Sequence, residues 1–311
     1  MRKSLVALAG ALVALAPATA RAWHNQGHMM VAEVAWRHMN SGAKCRAVWL
    51  LKSDPEYARG LQNPTKIAWR EALFVNAATW PDRIKAEGSG FGPGGDPSLN
   101  VGLSDRLQHR NWHFTNFAVP ASDTHPVAAN NALERIKTFT GTLSDPAKPR
   151  ALKAYDLAWV LHLVGDVHQP LHMANQYGPV FHGNDAGGNG IPVQYPPYHE
   201  LHGFWDGAPG DSKNSAKLLG IAIRAARSLA PAPAAEAAIS DVDSWGKESY
   251  DLALNDAYVP PVMLQSAAMV VPTPGYVANA QKVSKARVAL AGARLANLLN
   301  AALTWPAPGC P

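Results

Sequence analysis

The densest chemistry in the sequence lies in one short block, His162-Leu163-Val164-Gly165-Asp166-Val167-His168-Gln169-Pro170-Leu171-His172. His162 and Asp166 are four residues apart, so on a helix they share a face and bring an imidazole and a carboxylate within reach of one cation. Pro170 disfavours helix at Gln169, so the helix should stop there and His172 should arrive from a different backbone direction. The same spacing recurs in His202-Gly203-Phe204-Trp205-Asp206. Three further candidates are Asp82 after Trp80-Pro81, His113 between Trp112 and Phe114, and His28 shortly after Trp23. A chain beginning at Trp23 offers an α-amino nitrogen and a carbonyl oxygen, which together can chelate a metal. Imidazole and carboxylate donors without thiolates suit zinc in a water-accessible catalytic site. Trp23, His28, Asp82, His113, His162, Asp166, His172, His202 and Asp206 exceed the needs of one tetrahedral ion. Two or three ions are the natural inference, and clustered ions point to phosphoester hydrolysis. Each fragment alone has an ordinary reading as a core histidine, a surface charge pair or a first residue; the weight lies in the joint pattern.

The elements that must position these groups read as helical almost throughout. Apolar residues recur at three- and four-residue spacing over 28–39, 43–52, 66–76, 129–143 and 217–229. The segment 151–164 is nearly all apolar and predicts a central buried helix. Another helix is expected over 240–254, with Trp245 as a core anchor. A long amphipathic one is expected over 283–303, with Arg287 and Arg294 facing outward. Three loop-rich stretches separate them: 88–105, rich in Gly and Pro; 177–198, which could form a small hairpin; and the proline-rich 258–275, which cannot be regular helix. The fold class is therefore mainly α, a single multi-helix domain with long functional loops.

The 311 residues are 47% hydrophobic and 16% charged, which excludes a disordered chain and a coiled coil. The N-terminus reads as a secretory signal over residues 1–22: Arg2 and Lys3, an apolar run from Leu5 to Ala16, and Ala20-Arg21-Ala22 as the cleavage site. The run is too short to span a bilayer, and stable membrane association is not expected. The domain is then 23–311, exported to a periplasm or the medium. The formal charge of +5 counts Arg2, Lys3 and Arg21, so net charge says little about partners. Export also bears on Cys45 and Cys310, which either pair in an oxidising compartment or remain two free thiols. No Asn-x-Ser/Thr site is present, because Asn63 is followed by Pro64.

As a set, these motifs resemble the S-one/P-one type zinc-dependent single-strand nucleases of the phospholipase C/nuclease superfamily. The resemblance rests on Trp23 to His28, Trp80-Pro81-Asp82, Trp112-His113-Phe114, the intact block from His162 to His172, Gly187-Gly188-Asn189, and Leu201 to Asp206. It implies three Zn2+ ions. Asp82, His113, His162 and Asp166 would hold one. Trp23, His28 and Asp166 would hold a second, with Asp166 and a hydroxide bridging the two. His172, His202 and Asp206 would hold the third. The bridging hydroxide would attack phosphorus while the third ion stabilises the leaving 3′ oxygen. Asp82, Asp166 and Lys85 are the implied catalytic residues, Lys85 stabilising charge in the transition state. Phe114 and Asn116 would form a base pocket in which stacking favours unpaired strands.

The implied activity is hydrolysis of single-stranded DNA, RNA and 3′-nucleotides to 5′-phosphorylated products, by a monomer. The sequence departs from the family at Asn116, acidic in some members, at Glu200, commonly Asn, and in a longer loop around His182. The missing glycosylation sites resemble bacterial members. His24, His38, His109, His125, His168, His182 and His199 are not counted as ligands. The alternative is a zinc phospholipase C-type phosphodiesterase, but there a Glu commonly takes the last ligand position, which is Asp206 here. A zinc-binding protein without turnover fits poorly with nine ligands and open loops.

Overall fold

A computed structural model describes residues 23–59, 61, 67–92, 106–120 and 124–311. The predicted leader and residues 93–105 of the 88–105 loop lie outside the described residues. Eleven α-helices follow one another through the described residues: α1 (Asn25–His38), α2 (Ser41–Leu51), α3 (Trp69–Ala77), α4 (Trp80–Arg83), α5 (Ala132–Ser144), α6 (Arg150–Asp166), α7 (Leu201–Gly207), α8 (Leu218–Arg227), α9 (Ala234–Ala237), α10 (Val242–Leu252) and α11 (Pro274–Ala302). Side-chain caps start four of the longer ones. Asn40 accepts from Ala43 N, Asn131 from Glu134 N, Asp241 from Ser244 N and Thr273 from Tyr276 N. The Thr273 cap, with Pro274 in the first turn, explains why α11 begins nine residues before the expected Val283.

The apolar run predicted to be central is so. Every residue of α6 from Leu152 to Asp166 is buried, and α1, α2, α4, α5 and α11 pack around it. A helix apolar on all sides cannot face water on any of them. A second, smaller apolar cluster gathers Val119, Leu171, Ile191, Leu201, Trp205, Tyr258 and Tyr276. The block that ends α6 passes from one cluster to the other: Val167 belongs to the first and Leu171 to the second.

The strands are short. β1 (Phe117–Val119) runs parallel to β2 (Ala174–Gly178), with Phe117 opposite Ala174, and β3 (Gly183–Asn184) closes antiparallel on β2. The hairpin expected in 177–198 is β4 (Pro192–Tyr195) with β5 (Tyr198–Glu200). The segment before Pro274 is irregular, as its prolines require, and meets β4 through a bridge between Val193 and Val270. A π-helical turn, Ala253–Ala257, extends α10. No helix among the described residues is long and apolar enough to cross a membrane.

One expectation needs revision. Arg287 and Arg294 do not face outward; they are buried, 6% and 1% exposed. Both bond to Glu248 of α10, a partner 39 and 46 residues away that helical periodicity cannot reveal. The open question of the cysteines is settled as a pair, since Cys45 and Cys310 form a disulfide between α2 and the tail beyond α11.

Asp156 sits in the middle of α6 with its side chain fully buried. Burial pushes its pKa up to about 8, against the smaller opposing pulls of Thr142 and Arg135. From about pH 4 to 8 the folded chain then keeps a proton that the unfolded chain has lost, so this group's contribution to stability falls as pH rises. Denaturation of Asp156→Asn across that range should show an advantage over wild type that grows with pH, at up to about 1.4 kcal/mol per pH unit. A difference independent of pH would contradict a protonated Asp156.

Candidate metal centre

Three buried sets of donors converge around the end of α6. His28, His162 and Asp166 form one, Asp82, His113 and His162 another, and His172, His202 and Asp206 the third. Within each set the candidate ligand atoms all lie within 4.8 Å of one another. Asp166 links the first two: its Oδ1 is 3.4 Å from His28 Nε2, and its Oδ2 is 2.9 Å from His113 Nδ1 and 3.4 Å from His162 Nε2. His162 Nε2 is also 3.6 Å from Asp82 Oδ1. In the third set His202 Nε2 faces His172 Nε2 at 3.2 Å and Asp206 Oδ2 at 3.4 Å.

The chain's local geometry delivers each group. His162 and Asp166 lie one turn apart at the C-terminal end of α6. The short 3-10 turn Pro170–His172 carries His172 back toward them. His28 comes from α1 and stacks on His162 with ring centres 3.7 Å apart. The approach is possible because residue 165 is glycine: a Cβ there would lie 2.9 Å from His28 Nδ1 and 3.6 Å from Trp23 Cδ1. Asp82 sits in the single turn of α4, and His113 ends a 3-10 turn, Arg110–His113. His24 N donates to Asp206 O at 3.1 Å, tying the segment after Trp23 to the third set.

A second layer of hydrogen bonds fixes the rings. His162 Nδ1–H donates to Ala78 O (2.8 Å), His172 Nδ1–H to His113 O (2.7 Å) and His202 Nδ1–H to Gly187 O (2.7 Å). Each bond leaves Nε2 with its lone pair turned toward the set, the usual arrangement of a metal-binding histidine. Gly187 has φ +62°, and a Cβ there would meet Leu171 O at 2.5 Å, so only glycine fits. Asn175 Oδ1 and the buried Asp185 accept from Gly187 N and hold that turn in place.

The electrostatics fit a cation. Burial lowers the pKa of His28, His113 and His172 well below the ordinary value and that of His162 to about 4, so the imidazoles are neutral. Burial, joined by the charge of Asp82, pushes Asp166 well up; burial does the same to Asp206. Burial also penalises the Asp82 charge, but the Lys85 ammonium beside it, the largest opposing influence, holds this carboxyl well below the carboxylate range. Both ring nitrogens of His28 and Asp166 Oδ1 are buried without a hydrogen-bond partner. Buried polar atoms left in this way are costly unless something pairs with them, and imidazole nitrogens with carboxylate oxygens are donors that zinc accepts.

The other predicted residues are placed as follows. Trp23 is fully buried against α1 and α6. Lys85 is buried, with Nζ 2.6 Å from Asp82 Oδ1, rather than solvated on the surface. Phe114 is half-buried and stacks on His172 with ring centres 4.6 Å apart; Asn116 is half-buried two residues on. A cavity of about 430 Å³ reaches Asp82 and is lined also by Trp80, Arg83 and Phe91. His168 belongs to none of the three sets formed among the described residues; its ring bonds to Val164 O and Arg294.

Sequence reasoning passed over Gln169. Its Oε1 accepts from Leu171 N at 2.6 Å and its Nε2 donates to Asp206 Oδ1 at 2.7 Å, so it aims the other Asp206 oxygen at His202. The signal was its place in the block, directly before the proline that turns the chain.

Fold and donor set together define a class: a mainly helical protein with buried His/Asp groups able to bind metal ions. The sequence model of the S1/P1 Nuclease family matches residues 23–304, and the chain belongs to that family. It is 28% identical over 215 residues to Nuclease S1 of Aspergillus oryzae, covering 65% of this chain and 59% of that one. It is 24% identical over 237 residues to Nuclease P1 of Penicillium citrinum, covering 72% of this chain and 64% of that one, and equally to Nuclease PA3 of a Penicillium species. The matched stretch thus spans about three fifths of the length of these relatives.

Replacing Gln169 with Leu removes the donor that orients Asp206. Affinity for a divalent ion should fall about 10- to 100-fold at one site while the others are retained. Chelator competition on the folded protein measures this, and wild-type affinity at every site would show that Gln169 does not orient the group.

Proposed function

We propose that the chain is an exported, zinc-dependent nuclease that hydrolyses phosphodiester bonds of single-stranded DNA and RNA, and 3′-nucleotides, to 5′-phosphorylated products. One domain, 23–311, would act as a monomer after removal of residues 1–22. Three zinc ions would be held by Asp82, His113, His162 and Asp166; by Trp23 (amino nitrogen and carbonyl oxygen), His28 and Asp166; and by His172, His202 and Asp206. The observation that carries this reading is Asp166, whose two oxygens face donors of two different sets. Family membership and the names of the relatives supply the substrate class.

When bound, clustered zinc ions supply Lewis acidity and an acidified water. The remaining roles fall to the chain. Lys85, held beside Asp82, brings positive charge to the phosphate in the transition state. Phe114, against the ring of His172, offers an aromatic surface next to the third set. A base on that surface must leave its duplex partner, which selects unpaired strands. Asn116 would meet the base edge.

The test is hydrolysis of single-stranded DNA by protein beginning at Trp23, as prepared, after chelation, and after zinc is restored. Zinc-dependent release of 5′-nucleotides supports the proposal. Three bound zincs with no release would move the assignment to another phosphodiester, lipid headgroups first. Asp166→Asn should lose two ions together and reduce turnover by at least 100-fold, as removal of a metal's principal ligand does. Three zincs retained in that variant would overturn the bridging role.

A further inference from the structure

The two arginines of α11 have no place in the chemistry so far. Burying two guanidiniums against one carboxylate is a poor way to gain stability, because desolvation costs about as much as the pairing returns, and apolar replacements are often as good or better. What they touch gives another reason. A helix end leaves carbonyls without partners, and α6 ends at Asp166, directly before the turn that leads to His172. That turn is satisfied by side chains, one of its own and two from other helices. His168 Nδ1–H donates to Val164 O at 2.7 Å, Ser249 Oγ–H donates to Val167 O, and Arg287 Nε–H donates to His168 O at 3.3 Å. Arg294 Nη1 donates to His168 Nε2 at 3.0 Å, which fixes the imidazole with its proton on Nδ1.

Both guanidiniums are in turn held by Glu248. Arg287 Nη1 reaches Oε2 at 2.9 Å, and Arg294 reaches Oε2 and Oε1 at 2.7 Å each. Arg287 Nη2 also donates to Ser249 Oγ at 2.8 Å, and Arg294 donates twice to Glu236 O. Every one of these groups lies outside the three donor sets; Ser249 and the two arginines bond to residues 167–168, and Glu248 and Glu236 hold the arginines there.

We infer that Arg287 and Arg294, braced by Glu248 and Ser249, are positioning residues. By clamping the turn Val167–His168 from α10 and α11, they set the separation between Asp166 and His172, and so between the first two metal groups and the third. The inference rests on the proposed zinc centre. It adds that the centre's geometry is governed by a helix that contributes no ligand.

The experiment compares Arg287→Lys, Arg294→Lys and Ser249→Ala with Leu299→Ala, which opens a cavity in α11 away from the turn and should lose about 2–5 kcal/mol of stability. Zinc affinity is measured by chelator competition on folded protein below each melting temperature, and kcat and KM on single-stranded DNA. The lysine variants should lose about 10-fold in affinity for the weakest-held zinc, and should lose kcat more than they raise KM. Leu299→Ala should keep both while melting lower. Lysine variants that melt lower but keep wild-type zinc affinity and kcat would overturn the clamp. Should they fail to fold, Ser249→Ala carries the test: a several-fold loss of affinity supports the clamp, and wild-type affinity overturns it. Wild-type protein that binds no zinc would instead refute the metal centre itself.

Discussion

A carboxylate with no water around it governs this structure. Asp166 is the last residue of a helix buried on every side, and the C-terminal end of a helix already carries partial negative charge. Asp82 adds to the repulsion. The imidazoles around Asp166 are kept neutral by the same burial, so they offer lone pairs rather than counter-charge. Lys85 is the cation at hand, and it is taken up by Asp82. Added positive charge would favour the ionised form of Asp166 that burial opposes, and in this the fold around α6 suits the ions its donor atoms could take.

Backbone carbonyls then decide where those donor atoms point. Ala78, His113 and Gly187 lie in three separate segments, and each orients the imidazole of a different candidate ligand. The loops are therefore part of the centre, and their shape is set by features that tolerate little change: the left-handed turn at Gly187, the buried Asp185 beneath it, and the parallel pairing of β1 with β2. That pairing runs from just beyond His113 and His172, so two candidate ligands from distant parts of the chain are delivered side by side.

Much of this was legible in the residues. The four-residue spacings of His162 with Asp166 and His202 with Asp206 are local rules, and the structure draws both pairs together. The all-apolar stretch announced a buried helix, and Pro170 announced its end. The meeting of His28, Asp82 and His113 with that helix is a long-range fact; no local period encodes it, and it came from the family resemblance. The three-residue strands were too short to show an alternation. Arg287 and Arg294 were misread because charge at helical spacing normally marks a solvated face, and their partner Glu248 belongs to another helix. Gln169 shows its role only through its bond to Asp206, 37 residues away.

The direction of synthesis gives the C-terminal helix one more consequence. A ribosome delivers the chain from its N-terminus, and early segments can begin to fold before later ones exist. Here the donor residues all precede position 207, whereas the groups that cap their turn sit on α10 and α11, and Cys310, which anchors the segment beyond α11 to α2, comes later still. A nascent or prematurely terminated chain can thus hold every donor and still lack the buttress behind them. If the clamp proposed above holds, the synthesis of α10 and α11 is the event that brings the centre into register.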